Sequence, residues 1–231
     1  MFPATRRSVI LALSSDDVSE RRRAFDTLVT LYWKPLYKYA RVALGRQGAD
    51  AEDVTQGFLA RAFESGVVSQ YDSTKASFRT FLRMLFDRHV LNDVKAASRI
   101  KRGGGDVHLD FDSAELEIAR EHDRSGTPAD YFQREWVRSV FALSVDRLRA
   151  EYCAAGKQEH FAMFEAYDLD GTAASYRETA ERFGVPETSV TNWLSAARRR
   201  FRAIVLEVLR EATVSEHEYR TEVRSILGIE V

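Results

Sequence analysis

Residues 176–202 read YRETAERFGVPETSVTNWLSAARRRFR, and this stretch decides the fold of the second half of the chain. Apolar and small side chains recur at helical spacing on both sides of the break Gly184-Val185-Pro186. Glycine suits the left-handed position that ends a helix, and proline cannot extend one. The pattern therefore predicts helices over 175–183 and 187–213, arranged as a helix-turn-helix.

The second predicted helix carries side chains suited to DNA. Short or polar groups able to reach base edges stand in its first half, at Glu187, Thr188, Ser189, Thr191 and Asn192. Phosphate contacts are expected from the basic end, at Arg198, Arg199 and Arg202. Trp193 is expected to pack against the first helix. An ordinary helical hairpin with solvated arginines would produce the same pattern, so the motif alone leaves both alternatives open.

Two further segments precede this motif in the chain. Residues 32–64 combine an aromatic-rich helix with an acidic one, DAEDVTQ at 50–56. Residues 78–102 form an amphipathic pattern that begins with Phe78 and Phe81 and ends in basic residues. With these features the chain resembles the sigma-70 family of bacterial RNA polymerase sigma factors, in particular the small extracytoplasmic-function (ECF) type. The resemblance covers residues 25–102 and 135–210.

The resemblance implies an all-α protein with two helical domains joined by a flexible acidic linker. A sigma region 2-like domain, residues 1–102, would bind core polymerase and the promoter −10 element. A region 4-like helix-turn-helix domain with a C-terminal helix would span 131–231. The acidic composition of the intervening 103–130 favours a solvated linker, with a short helix possible within it. The final helical pattern is expected to pack on its own domain.

The resemblance also assigns binding residues. Docking to core polymerase would use the acidic helix, through Asp50, Glu52, Asp53 and Gln56, and Asp50 is also a plausible cap of that helix. Binding to the −10 element would use the basic helix, through Arg88, Asn92, Asp93, Lys95, Arg99, Lys101 and Arg102. The loop 71–77 is expected to close a pocket over a flipped base. The −35 element would be read by the helix-turn-helix.

Gly57 departs from the family pattern, in which glutamate is usual at this position. The glycine removes a negative charge and weakens the helix by about 1 kcal/mol relative to alanine. One interpretation is that a Ser/Thr protein kinase phosphorylates Thr55 on the same helix, because a phosphate would restore the missing charge. The other interpretation is that Gly57 is simply tolerated.

Composition fits a protein that binds both DNA and protein. The 231 residues contain 34 Lys and Arg against 35 Asp and Glu, so the net charge of −1 exerts no global attraction on nucleic acid. The single cysteine, Cys153, excludes an internal disulfide framework and is expected near a core. No spacing typical of catalysis, of a cofactor or of a metal site is found, which favours a non-enzyme. A cytoplasmic protein without a membrane partner is expected.

Rival functions remain open from the sequence. A one-component helix-turn-helix regulator would bind DNA without polymerase, but it would not need the acidic and basic helices. An anti-sigma factor or adaptor would not need a polar recognition helix. For a sigma factor the expected partners are bacterial core RNA polymerase and promoter DNA. Its regulator would be a kinase, an anti-sigma factor or the C-terminal tail.

Overall fold

The computed structural model describes residues 9–13, 15–64, 66–96, 109–120, 126–170 and 175–230. Every regular element within these ranges is helical, which confirms the predicted all-α class there. The described residues fall into two compact units. The first unit lies within Met1–Ser139 and Leu209–Val231, and the second within Val140–Val208.

The first unit contains most of the helices. They are α1 (Val9–Ala12), α2 (Val18–Lys38), α3 (Gly48–Glu64), α4 (Phe78–Ala96), α5 (Phe111–Arg120), the first part of α6 (Pro128–Ala154) and α10 (Glu216–Leu227). The second unit holds the rest of α6, followed by α7 (Gln158–Phe164), α8 (Tyr176–Phe183) and most of α9 (Glu187–Glu211).

Helix α2 begins well before the aromatic-rich segment at residue 32 and includes the start of that segment. The Asp17 side chain caps it by accepting the backbone N–H of Ser19 at 2.7 Å. Pro35 lies inside the helix, and a π-helical turn at Tyr39–Ala43 follows directly. The long helix is continuous because its buried side runs without interruption to Lys38.

Aromatic side chains build the core of the first unit. Tyr32 of α2 meets Phe78 of α4 edge-on, at 5.8 Å between ring centroids, and stacks with Trp136 of α6 at 6.4 Å. Phe86 of α4 packs edge-on against Phe58 of α3 at 5.2 Å. These contacts join α2, α3, α4 and α6, and the rings of Phe78 and Phe86 are fully buried.

Helix α5 corrects the expectation of a flexible acidic linker for residues 111–120. Phe111 packs edge-on against Trp33 of α2 at 5.6 Å between centroids. Glu115 pairs with Arg41, and Glu117 lies 2.8 Å from Lys34. The acidic side chains are therefore neutralised by basic residues of the first unit, which fixes the segment as a docked helix. Residues 103–108 and 121–125 of the predicted linker lie outside the described residues.

Helix α10 also differs from expectation. It was predicted to pack on the domain 131–231, but its buried side meets the start of α4 in the first unit. Ser215 caps α10 by accepting the N–H of Glu218 at 3.1 Å. Its buried side includes Tyr219 and Val223.

The second unit has its own core. Phe164 of α7 packs against Phe201 of α9 at 5.6 Å between centroids, and Val190, Leu194 and Ala197 of α9 are fully buried. Cys153 is exposed near the end of α6, which corrects its expected position near a core.

Candidate nucleic-acid interface

Helices α8 and α9 lie within the ranges predicted from the sequence, 175–183 and 187–213, and α9 ends two residues earlier than predicted. Ser175 caps α8 by accepting the N–H of Glu178 at 3.2 Å. Gly184 ends the helix with φ of 66°, a left-handed conformation that favours glycine. The Val185 N–H then donates to the Ala180 carbonyl at 3.0 Å, which satisfies one of the last carbonyls of α8.

Helix α9 separates its apolar and polar residues onto opposite sides. The buried row is formed by Val190, Leu194 and Ala197. Four of the five base-contact candidates, Glu187, Thr188, Thr191 and Asn192, are exposed, while Ser189 is half-buried. This arrangement leaves the first two turns of α9 free to enter a major groove.

The arginines at the basic end of α9 differ in whether they are free to contact DNA. Arg199 and Arg202 are exposed and pair with no acidic side chain in the described part of the chain. Arg198, by contrast, binds Asp168 through two nitrogens, at 2.8 and 3.0 Å, and the Tyr176 hydroxyl at 3.1 Å. Arg198 therefore supports the packing of α9, which weakens its predicted role as a leading phosphate contact.

Trp193 packs on a different helix from the one expected. Its ring stacks on His160 of α7, with centroids 3.8 Å apart and planes inclined by 17°. Burial against this ring and the nearby Lys157 charge lower the pKa of His160, so the neutral imidazole is favoured. The contact fastens α9 to α7.

The acidic helix α3 presents some of its predicted docking residues to solvent. Asp53 and Gln56 are exposed and Glu52 is half-buried, while Ala51 and Val54 face the core. Asp50 lies inside the first turn, because α3 begins at Gly48, so its expected role as the cap is wrong. Its carboxylate instead pairs with Arg46 at 2.7 Å.

Thr55 lies on the buried side of α3, not on the acidic surface. Its side chain has no exposed area, and its Oγ1 has no hydrogen-bond partner among the described residues. A kinase could not reach this hydroxyl while α3 stays packed, and a phosphate there would face the core. Gly57 is exposed, and a Cβ built on it would lie 3.7 Å from His89 Nε2, an ordinary contact.

Helix α4 carries fewer free cations than its sequence suggests. Arg79 pairs with Glu222 of α10, and Arg83 pairs with Asp87 at 2.9 Å. Of the predicted −10 residues, Arg88 and Asn92 are exposed and Asp93 is half-buried. The side chain of Lys95, and all of Arg99, Lys101 and Arg102, lie outside the described side chains and residues.

A cavity of about 350 Å³ opens between α4 and the preceding loop, where a base pocket was expected. It is lined by Gln70, Asp72, Lys75, Ala76, Phe81, Met84, Leu85 and Arg88. One aromatic ring and several apolar side chains thus share the wall with charged and amide groups. The volume lies in the range of small-molecule sites, about 300 to 1,000 Å³.

The predicted site residues do not include the two buried carboxylates of α10, Glu218 and Glu222. Their spacing places them on the same side as Tyr219 and Val223, and acidic residues on an apolar side were the available signal. Elsewhere in the described residues, no cluster of side chains is suited to a metal ion, and no helix has both the length and the apolarity to cross a membrane.

Comparisons with protein families, with curated proteins and with solved structures found no match to this chain.

Proposed function

We propose that this chain is an ECF-type sigma factor, which binds bacterial core RNA polymerase and directs promoter recognition and transcription initiation. The observation that carries the proposal is the cavity beside α4, with Phe81 and Arg88 in its wall. A protein that holds melted promoter DNA must accept unpaired bases, and stacking surfaces beside cationic groups suit them. A regulator that reads only duplex DNA needs no such site. The resemblance in residues 25–102 and 135–210 supports the same function.

Duplex DNA at the −35 element would be bound by α9. Its exposed Thr188, Thr191 and Asn192 would reach base edges in the major groove. Arg199 and Arg202, which pair with no acidic side chain among the described residues, would neutralise phosphates. Such contacts suit both a sigma factor and a one-component regulator, so α9 supports DNA binding without distinguishing the two.

Core polymerase would be bound by the exposed side of α3. Asp53, Gln56 and the half-buried Glu52 form an acidic surface that would steer a basic partner. Because Thr55 is buried beneath this surface, we propose that the unmodified helix docks. Core polymerase is a cytoplasmic enzyme, and the proposed function places the chain in the same compartment.

The test is binding of the purified chain to bacterial core RNA polymerase, followed by transcription from candidate promoters. We expect binding by the wild type and at least tenfold weaker binding by Asp53→Arg, because a like charge replaces an attractive one. The matched control is Asp26→Arg, which makes the same change at an exposed position on α2. Duplex DNA binding without any polymerase binding would instead establish the one-component regulator.

A further inference from the structure

Helix α10 holds the loop that borders the cavity beside α4. One carboxylate oxygen of Glu218 accepts the backbone N–H of Phe78 at 2.7 Å and lies 3.1 Å from the Tyr71 hydroxyl. The other oxygen accepts the Val214 N–H at 3.0 Å. Glu218 is 8% exposed, so these protein groups replace most of its hydration.

Tyr71 connects Glu218 to the wall of the cavity. Its hydroxyl also lies 2.9 Å from the Ala76 carbonyl oxygen, so one proton is shared between two acceptors and ties the two ends of the loop together. Its ring packs against Phe81 with centroids 5.4 Å apart, and Phe81 lines the cavity. A continuous chain of contacts therefore runs from Glu218 through Tyr71 to the cavity.

A second buried carboxylate anchors α10 at the same place. Glu222 is 3% exposed and pairs with Arg79, whose guanidinium lies 5.0 Å from the centroid of the Trp136 ring. Both carboxylates contact the first turn of α4, Glu218 through the Phe78 N–H and Glu222 through the Arg79 side chain, and the helix dipole favours negative charge at this end. Helix α10 thus stabilises both the loop and the first turn of α4.

We propose that Glu218 is a positioning residue of the cavity, and that α10 supports, through Tyr71, the site that holds an unpaired DNA base. The inference rests on the proposed function, because that function supplies the ligand. By ordering the loop before DNA arrives, Glu218 removes an entropic cost that binding would otherwise bear. Loss of the contact opens the loop and weakens single-strand binding, whereas duplex binding by α9 is unchanged.

The experiment compares the full-length wild type with Glu218→Ala and Tyr71→Phe. Tyr71→Phe is the gentler change, because it removes only the hydroxyl and keeps the ring against Phe81. The matched control is Arg220→Ala on the exposed side of α10, where only an exposed pair with Glu216 is lost. Two quantities are measured: amide hydrogen exchange in residues 71–77 without DNA, and affinity for a fluorescent single-stranded DNA oligonucleotide.

We expect both changes to accelerate exchange in the loop and to weaken oligonucleotide binding by about tenfold, the effect of one hydrogen bond to a charged group. Arg220→Ala should match the wild type. Loop exchange that stays unchanged in both variants overturns the proposal, as does faster exchange with undiminished affinity. If the wild type binds no single-stranded DNA while the loop still responds, the base site is refuted and the Glu218 clamp alone is supported.

Discussion

Lys38 and Glu135 form an ion pair in the interior of the first unit. The Lys38 ammonium lies 2.8 Å from the Glu135 carboxylate, and each side chain is only 2% exposed. Glu117 of α5 lies 2.6 Å from the same ammonium, and Arg138 pairs with Glu135. Buried charge therefore joins α2, α5 and α6, in addition to apolar packing.

Lys38→Met is expected to destabilise the protein by about 3–5 kcal/mol, because it leaves the Glu135 carboxylate buried without its ammonium partner. The measurement is the free energy of unfolding in urea. Lys34→Met is the matched control, since Lys34 also pairs with Glu117 but is 26% exposed, and it should cost no more than about 1 kcal/mol. The double change Lys38→Met/Glu135→Leu should recover most of the loss. Equal losses of stability in Lys38→Met and Lys34→Met would contradict the argument that burial makes the Lys38 pair more important.

Thr55→Val is expected to raise the free energy of unfolding by about 1 kcal/mol, because the lost hydroxyl is buried with no hydrogen-bond partner in the described part of the chain. Thr55→Glu places a carboxylate in the same site and should destabilise by several kcal/mol. Thermal unfolding of both variants, compared with the wild type, checks these two predictions. A folded Thr55→Glu protein with increased affinity for core polymerase would restore the phosphorylation hypothesis.

Gly57→Ala is expected to stabilise the protein by about 0.5–1 kcal/mol. Alanine is the better helix former, and its Cβ meets nothing closer than His89 Nε2 at 3.7 Å. Gly184→Ala provides the contrasting case, because φ of 66° costs a residue with a Cβ about 1–2 kcal/mol. The melting temperature should rise in Gly57→Ala and fall in Gly184→Ala. A loss of stability in Gly57→Ala would contradict the open space seen at that position.

Arg199→Ala and Arg202→Ala are each expected to reduce the salt dependence of duplex DNA binding by about one phosphate contact. Arg200→Ala is the control within the same helix, since its guanidinium already binds Glu151 at 2.5 Å and Glu207 at 2.8 Å. Affinity measured across a series of salt concentrations gives the slopes. The interpretation fails if Arg200→Ala changes the slope as much as the other two.

Glu222→Gln is expected to become more stable relative to the wild type as pH rises. Burial raises the pKa of Glu222 despite the opposing effect of Arg79, with Glu218 adding to the rise. The folded state therefore binds more protons than the unfolded state, and the stability contributed by Glu222 falls as pH rises from about 4 through the raised pKa. The difference in the free energy of unfolding in urea between the two proteins, measured between about pH 4 and 7, gives the contribution of Glu222. A stability difference that does not vary with pH would refute the raised pKa of Glu222.

Local signals account for what could be predicted from the sequence. Gly184 and Pro186 end one helix and begin the next through backbone chemistry alone, so the bounds of α8 and the start of α9 agree with the structure. The apolar spacing of Val190, Leu194 and Ala197 likewise identified the buried side of α9, because helical periodicity depends only on nearby residues.

Which charged side chains are free and which are paired inside the protein depends on how the helices pack. The sequence predicts Arg198 as a phosphate contact, but in the folded chain it binds Asp168, 30 residues earlier. The sequence likewise predicts a solvated acidic segment at α5, but its glutamates pair with Lys34, Lys38 and Arg41. The contact of Glu218 with Phe78 spans 140 residues. Helix periodicity and capping depend on a few adjacent residues, so local sequence was enough to predict helices such as α8 and α9. Pairing between distant charges depends on which helices pack together, and that is a property of the folded chain.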